Sequence, residues 1–285
     1  MTISKNYGTA LKNIIFTLLI AVLFVCSAVL CLYVGRKNDI KRLKVLLETE
    51  NGSKIEHFFK NSKIKDYNIF IKTYLPDWNP FESIINFTKD TEIIELLLKH
   101  GISPNFIGKS GRTPLGIFIS NPYAVKLLLE YGADPNLKDR REPYTPQTPL
   151  YLAISCLEEY SAFDKCKEQI ESFDLPDNYV KPDYLSTIYL LIEHGADVNQ
   201  GMDYILLRSM EVPLVPAIQR GRLDVIKLLL KYGADPNISG YMGETAFDIC
   251  QKTLHFKTEK EQKVALKLLK KASLEINANK NSIIK

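Results

Sequence analysis

The stretch Val212-Pro213-Leu214-Val215-Pro216-Ala217-Ile218-Gln219-Arg220-Gly221-Arg222-Leu223-Asp224-Val225-Ile226-Lys227-Leu228-Leu229-Leu230-Lys231-Tyr232-Gly233-Ala234-Asp235-Pro236-Asn237 decides the fold. It reads as two short helices joined by a glycine turn. Pro213 suits the first position of the first helix, where a backbone N–H would go unpaired in any case. Leu214, Ala217 and Ile218 then share one face at the i, i+3, i+4 spacing. Gly221 ends this helix, because glycine takes the left-handed conformation at little cost. Asp224 is an acceptor suited to starting the second helix, and Val225, Ile226, Leu228, Leu229 and Leu230 supply its apolar side. Gly233 stops it, and Asp235-Pro236-Asn237 comes next as turn chemistry.

The same order of signals recurs. Gly132-Ala133-Asp134-Pro135-Asn136 follows Leu127-Leu128-Leu129, and Gly195-Ala196-Asp197-Val198-Asn199 follows Leu190-Leu191-Ile192. Gly101-Ile102-Ser103-Pro104-Asn105 follows Leu96-Leu97-Leu98, and the front half returns as Thr113-Pro114-Leu115 and Thr148-Pro149-Leu150. This unit resembles the ankyrin repeat, whose period is about 33 residues. The resemblance implies an all-α solenoid of helix-turn-helix units with hairpin-like fingers, covering residues 80–271 in about five repeats. The third repeat carries an insertion of about 26 residues relative to the family pattern, spanning 155–183. Leu157, Phe163, Ile170 and Phe173 predict an apolar stripe on a lengthened first helix there. The family histidine after Thr-Pro-Leu is absent: Gly116, Tyr151, Val215 and Asp248 stand in its place. The Thr–His hydrogen bond of the family is therefore missing, which predicts irregular repeats of reduced stability.

Outside the array, Ile14 to Val34 contains no charged residue and matches the roughly 20 residues that cross a bilayer as a helix. The expected organisation is an N-terminal tail over 1–13, a transmembrane signal anchor over 14–34, a linker with an N-terminal cap or degenerate repeat over 35–79, the array, and a C-terminal tail over 272–285 that is loose from Asn277 onward. A cleaved signal peptide is the competing reading, with Cys26-Ser27-Ala28 as its cleavage site. Arg36, Lys37, Lys41, Arg42 and Lys44 come after the span and favour a cytoplasmic array by the positive-inside tendency. Signal anchors with a basic head often translocate the downstream chain, so the far side stays open.

The net charge of +4 is too small to imply nucleic acid. Cys26, Cys31, Cys156, Cys166 and Cys250 form no disulfide framework. Nucleophile-elbow and zinc-helix motifs are absent. Gly108-Lys109-Ser110 resembles the end of a phosphate loop, but Gly101 is misplaced for that motif. His100 and His194 precede stop glycines, where they complement a helix dipole and lack partners at metal-ligand spacing. The chain therefore reads as non-catalytic, without metal or cofactor.

What remains is surface for an unknown protein partner. The resemblance places binding on a concave face lined by fingers and first helices. Leu137 to Gln147 is a long finger with Lys138, Arg140, Arg141 and Tyr144, residue types favoured at interfaces. Gln200 to Glu211 carries Met202, Tyr204, Leu206 and Leu207, either as an exposed patch or packed on the neighbouring finger. Tyr241, in the next finger, completes the candidate set. Two alternatives accompany this reading: an accessory subunit of a membrane complex acting through its transmembrane helix, and a secreted or periplasmic protein.

Overall fold

The computed structural model describes residues 34–49, 52–84, 90–140, 145–157, 183–204, 209–240, 242–253 and 255–283. The chain divides into two units, Met1–Pro76 and Asp77–Lys285. In the first, helix α1 covers residues 34–48 and buries Ile40, Leu43 and Leu47, a stripe at helical spacing. Helix α2 (Gly52–Asn61) buries Ile55, Phe58 and Phe59. Helix α3 (Tyr67–Tyr74) is capped by Asp66, whose carboxylate accepts from the Ile69 N–H, and it buries Tyr67 and Ile71. Phe59 and Tyr67 meet edge to face at 5.0 Å between centroids, joining α2 to α3. The predicted span over 14–34 lies outside the described residues except for Val34. Among the described residues no helix is long and apolar enough to cross a membrane.

The second unit opens with a 3-10 turn, Glu82–Ile84, and α4 (Asp90–Lys99). Helices α5 (Pro114–Ile117) and α6 (Pro122–Glu130) form the next pair, and α7 (Pro149–Ser155) and α8 (Tyr184–Glu193) the third. A hairpin of β1 (Met202–Tyr204) and β2 (Ser209–Glu211) precedes α9 (Leu214–Gln219) and α10 (Leu223–Lys231). Helices α11 (Ala246–Lys252) and α12 (Glu259–Ile283) complete the array. The first helices α5, α7, α9 and α11 pack in succession, and α4, α6 and α8 form a parallel layer of second helices. Helices α10 and α12 pack together, whereas α8 and α10 approach more loosely.

Local chemistry accounts for most of these boundaries. Thr113, Thr148 and Thr245 each cap a first helix through the side-chain oxygen. Pro114 and Pro149 then occupy the first turn, where no N–H is missed. The second helices stop at glycines in the left-handed region, such as Gly132 at φ 86° and Gly233 at φ 87°.

Three expectations change. Arg222, not Asp224, precedes α10, and its guanidinium holds the Asp224 carboxylate at 3.0 and 2.7 Å within the first turn. Pro213 stands one residue before α9. The tail expected over 272–285 is helical through Ile283. No glycine or proline interrupts that segment, Lys271 and Glu275 pair at 3.7 Å, and the Ser273 hydroxyl donates to Asn237 at 2.6 Å. In the third repeat α7 ends at Ser155, with Leu157 buried just beyond it. Phe163, Ile170 and Phe173 lie outside the described residues.

Candidate functional site

A side-chain ladder spaces the repeats. The Asn105 amide donates to the Gly132 carbonyl at 3.1 Å, and its oxygen accepts from the Asp134 N–H at 2.8 Å. Asn136 does the same to Gly195 and Asp197, at 3.1 and 2.7 Å. Asn199 repeats it on Gly233 and Asp235, at 3.1 and 2.8 Å. Each asparagine thus satisfies two backbone groups at a helix end that the helix itself cannot pair. The two partners lie 59 and 61 residues beyond Asn136, so the ladder runs across the insertion.

The fingers are joined by backbone hydrogen bonds. Asp139 and Gln147 exchange N–H and C=O at 2.9 and 3.0 Å, closing the long finger. Gln147 then bridges to Met202, and the Asp203 N–H donates to the Pro146 carbonyl at 2.9 Å. Thr148 N–H donates to Gly201 at 3.2 Å, and Arg140 N–H to Gly111 at 2.8 Å. The Lys138 ammonium meets the Asp203 carboxylate at 2.6 Å. Gly201 is required in this junction, because a Cβ there would overlap the Glu211 carbonyl oxygen.

The missing histidine is replaced differently in each repeat. In the second, the buried Asp139 carboxylate reaches back across the finger and accepts from the Thr113 N–H at 2.6 Å and its hydroxyl at 2.7 Å. Gly116 makes room, since a Cβ there would run into that carboxylate. In the third, the Tyr151 hydroxyl donates to Glu211 at 2.8 Å, and Tyr204 donates to the other Glu211 oxygen at 3.1 Å. Burial, reinforced by the Glu211 charge, raises the Tyr151 hydroxyl well above its ordinary pKa. In the fourth, Val212 and Val215 are simply buried. In the fifth, Thr245 and Asp248 form a capping box that holds the Asp248 carboxyl below its usual range.

Of the candidate contact residues, Arg140 is exposed on the long finger. Met202 and Tyr204 are half-buried, tied to Gln147 and Glu211. Lys138 is largely covered, at 18% side-chain exposure, and is spent on Asp203. Arg141, Tyr144, Leu206, Leu207 and Tyr241 lie outside the described residues. The first helices offer little surface: every residue of Thr113–Ile119, Thr148–Ile154 and Glu211–Ile218 is buried. Exposed side chains gather instead on fingers and second helices, including Tyr123, Tyr131, Tyr189 and Tyr232.

The remaining reactive groups have structural duties. Gly108-Lys109-Ser110 lies in a finger without a preceding strand; Lys109 pairs with Asp77 at 3.5 Å and Ser110 donates to Glu82. The His194 ring contacts the Leu190 carbonyl at 2.8 Å at the end of α8. The Cys250 thiol is buried, which pushes its pKa up to about 11. Among the described residues no three His, Cys, Asp or Glu side chains are grouped to hold a metal.

Residues 81–164 match the model of three consecutive ankyrin repeats, and 217–241 match the single ankyrin repeat. The paired helices, stop glycines and fingers are those of this class, and the two matched segments read as ankyrin repeats. The chain is 36% identical over 130 residues to ankyrin repeat protein L86 of Acanthamoeba polyphaga mimivirus, a match covering 44% of this chain and 20% of that protein. It is 29% identical over 148 residues to the B-cell lymphoma 3 protein homolog of Mus musculus, covering 47% and 31% respectively. Over 152 residues it is 32% identical to the transient receptor potential channel pyrexia of Drosophila melanogaster, covering 52% of this chain and 12% of the channel. The chain thus spans under a third of the length of each of these relatives. Ankyrin repeats are typically non-catalytic modules for protein–protein interaction.

Proposed function

We propose that this chain is a membrane-anchored ankyrin array that captures a partner protein on its linked fingers. The observation that carries the reading is the near-complete burial of α5, α7 and α9 beside a cross-connected, half-buried finger row that leaves Arg140 exposed. A finger row pinned by backbone bonds presents Arg140 from a fixed position, and preorganisation of this kind lowers the entropy cost of binding. The concave face expected of the family is thereby narrowed to the fingers in repeats two to four. The uncharged run 14–34 supports the anchor, and the basic cluster after it supports a cytoplasmic array.

Charge reversal tests the finger reading. R140E in the full-length chain is expected to weaken recovery of the native partner about tenfold or more, near 1.4 kcal/mol, at unchanged melting temperature. Equal recovery overturns it. A reporter fused after Lys285 and active on one side only tests the anchor. A cytoplasmic signal, with the chain in the membrane fraction, is expected. A signal from the far side overturns the orientation, and a soluble chain overturns the anchor.

A further inference from the structure

Where α8 and α10 separate, a groove of about 900 Å³ opens on the second-helix side of the array. Tyr189 of α8, Lys227, Leu228 and Lys231 of α10, and Lys257 and Glu261 at the start of α12 line it. Arg222 and Asp224 also border it, but their bidentate pair is electrically closed. Glu261 accepts from the Lys257 N–H. The lysines thus outnumber the remaining carboxylate in the groove.

The charge on α10 differs from that on α4 and α6. The equivalent i, i+4 pair in α4 is Lys99–Glu95, joined at 2.8 Å, and in α6 it is Lys126–Glu130 at 3.9 Å. In α10 both positions are lysine. Like charges at this spacing weaken a helix, so the sequence retains an arrangement that the isolated helix does not favour. Lys231 lies 5.5 Å from the Tyr232 ring centroid, and Tyr189 is 45% exposed on the opposite wall. The groove therefore combines unneutralised ammonium groups with an exposed aromatic face.

We infer that this groove binds an acidic segment of a partner protein, with Lys227 and Lys231 taking its carboxylates and Tyr189 receiving an apolar side chain. The inference rests on the array being a protein-binding module, but it uses a surface distinct from the fingers. Lys227 and Lys231 are exposed, so their ion pairs are screened by salt, and the aromatic wall adds apolar contact.

The test is fluorescence anisotropy of the full-length chain with a fluorescein-labelled peptide of glutamate and leucine. Saturable binding that weakens with salt is expected. K227Q/K231Q should weaken it at least tenfold and K227E/K231E should abolish it, while Y123A on α6 leaves it unchanged. The melting temperature of K227Q/K231Q should equal or exceed that of the parent, because it relieves the like-charge pair, whereas K227E/K231E keeps a like-charge pair of opposite sign. Unchanged affinity in both lysine variants overturns the assignment. So does equally tight binding of a single-stranded oligonucleotide or phosphatidylserine vesicles that is lost with the same substitutions. The finger reading is scored separately, by R140E and the native partner, so the two can fail independently.

Discussion

The Asn136 side chain accepts the backbone N–H of Asp197 at 2.7 Å, although 61 residues separate them. The same side chain donates to Gly195 at 3.1 Å. In a repeat array, stability is a sum of unit terms and nearest-neighbour terms. This clamp belongs to the neighbour term between the second and third repeats, and it holds although the chain between its ends contains the insertion. N136A should therefore cost about 1–3 kcal/mol, the worth of two intramolecular hydrogen bonds. N136D keeps the acceptor and loses the donor, so it should cost about half as much. Urea unfolding monitored by circular dichroism measures both; an N136A loss no greater than that of N136D would show that the acceptor bond to Asp197 contributes nothing.

Gly116 and Asp139 are coupled. A Cβ at Gly116 would enter the space of the Asp139 carboxylate, so G116A should cost about 1–3 kcal/mol through overpacking. D139A removes the acceptor from the buried Thr113 N–H and hydroxyl and should cost about 2–3 kcal/mol. Once the carboxylate is gone the methyl has room. The double variant should be more stable than the sum of the single losses predicts, by at least about 1 kcal/mol in a double-mutant cycle. Strict additivity would mean that the two positions do not share that space.

The Tyr151–Glu211 bond sets an alkaline limit. The hydroxyl has a folded pKa above its ordinary value of 10.0 because burial and the Glu211 charge oppose ionisation. The folded chain then holds this proton more tightly than the unfolded chain. The stabilisation is complete below pH 10.0 and declines as pH rises above it. Y151F should flatten that part of the stability–pH curve while leaving the neutral region within about 1–2 kcal/mol of the parent. Parallel curves for parent and Y151F between pH 9 and 11 would remove Tyr151 as the cause.

The substitutions at the histidine position show what a sequence can reveal and what it cannot. Gly132, Gly195 and Gly233 are legible as helix stops because their effect is local: each takes a positive φ that other residues resist. The caps at Thr113 and Thr148 are legible for the same reason. The loss of the family histidine is equally plain, but its replacement is not. Asp139 stands in a finger rich in Lys and Arg and reads as solvated, yet it is buried against a threonine 26 residues earlier. Glu211 is likewise claimed by Tyr151, 60 residues before it. Such pairings depend on how fingers stack, which no local spacing encodes. Asp224 misleads because aspartate suits both a cap and a first turn; Arg222, two residues earlier, decides between them. Lys138 reads as a free contact residue until the finger beside it supplies Asp203. The helix past Asn277 escapes a sequence reading because a polar segment carries no apolar stripe to mark it, and Ser273 contacts Asn237 from outside any repeat motif.

The finger row, rather than the outward side of α6, is the surface proposed to meet the native partner. The most direct test is a photo-crosslinking residue installed at Arg140 in the full-length chain, compared with the same residue at Tyr123, which is 74% exposed on α6. On irradiation in native cells, a discrete protein adduct is expected from position 140 and none from position 123. An adduct from position 123 alone, or equal adducts from both, would contradict the account.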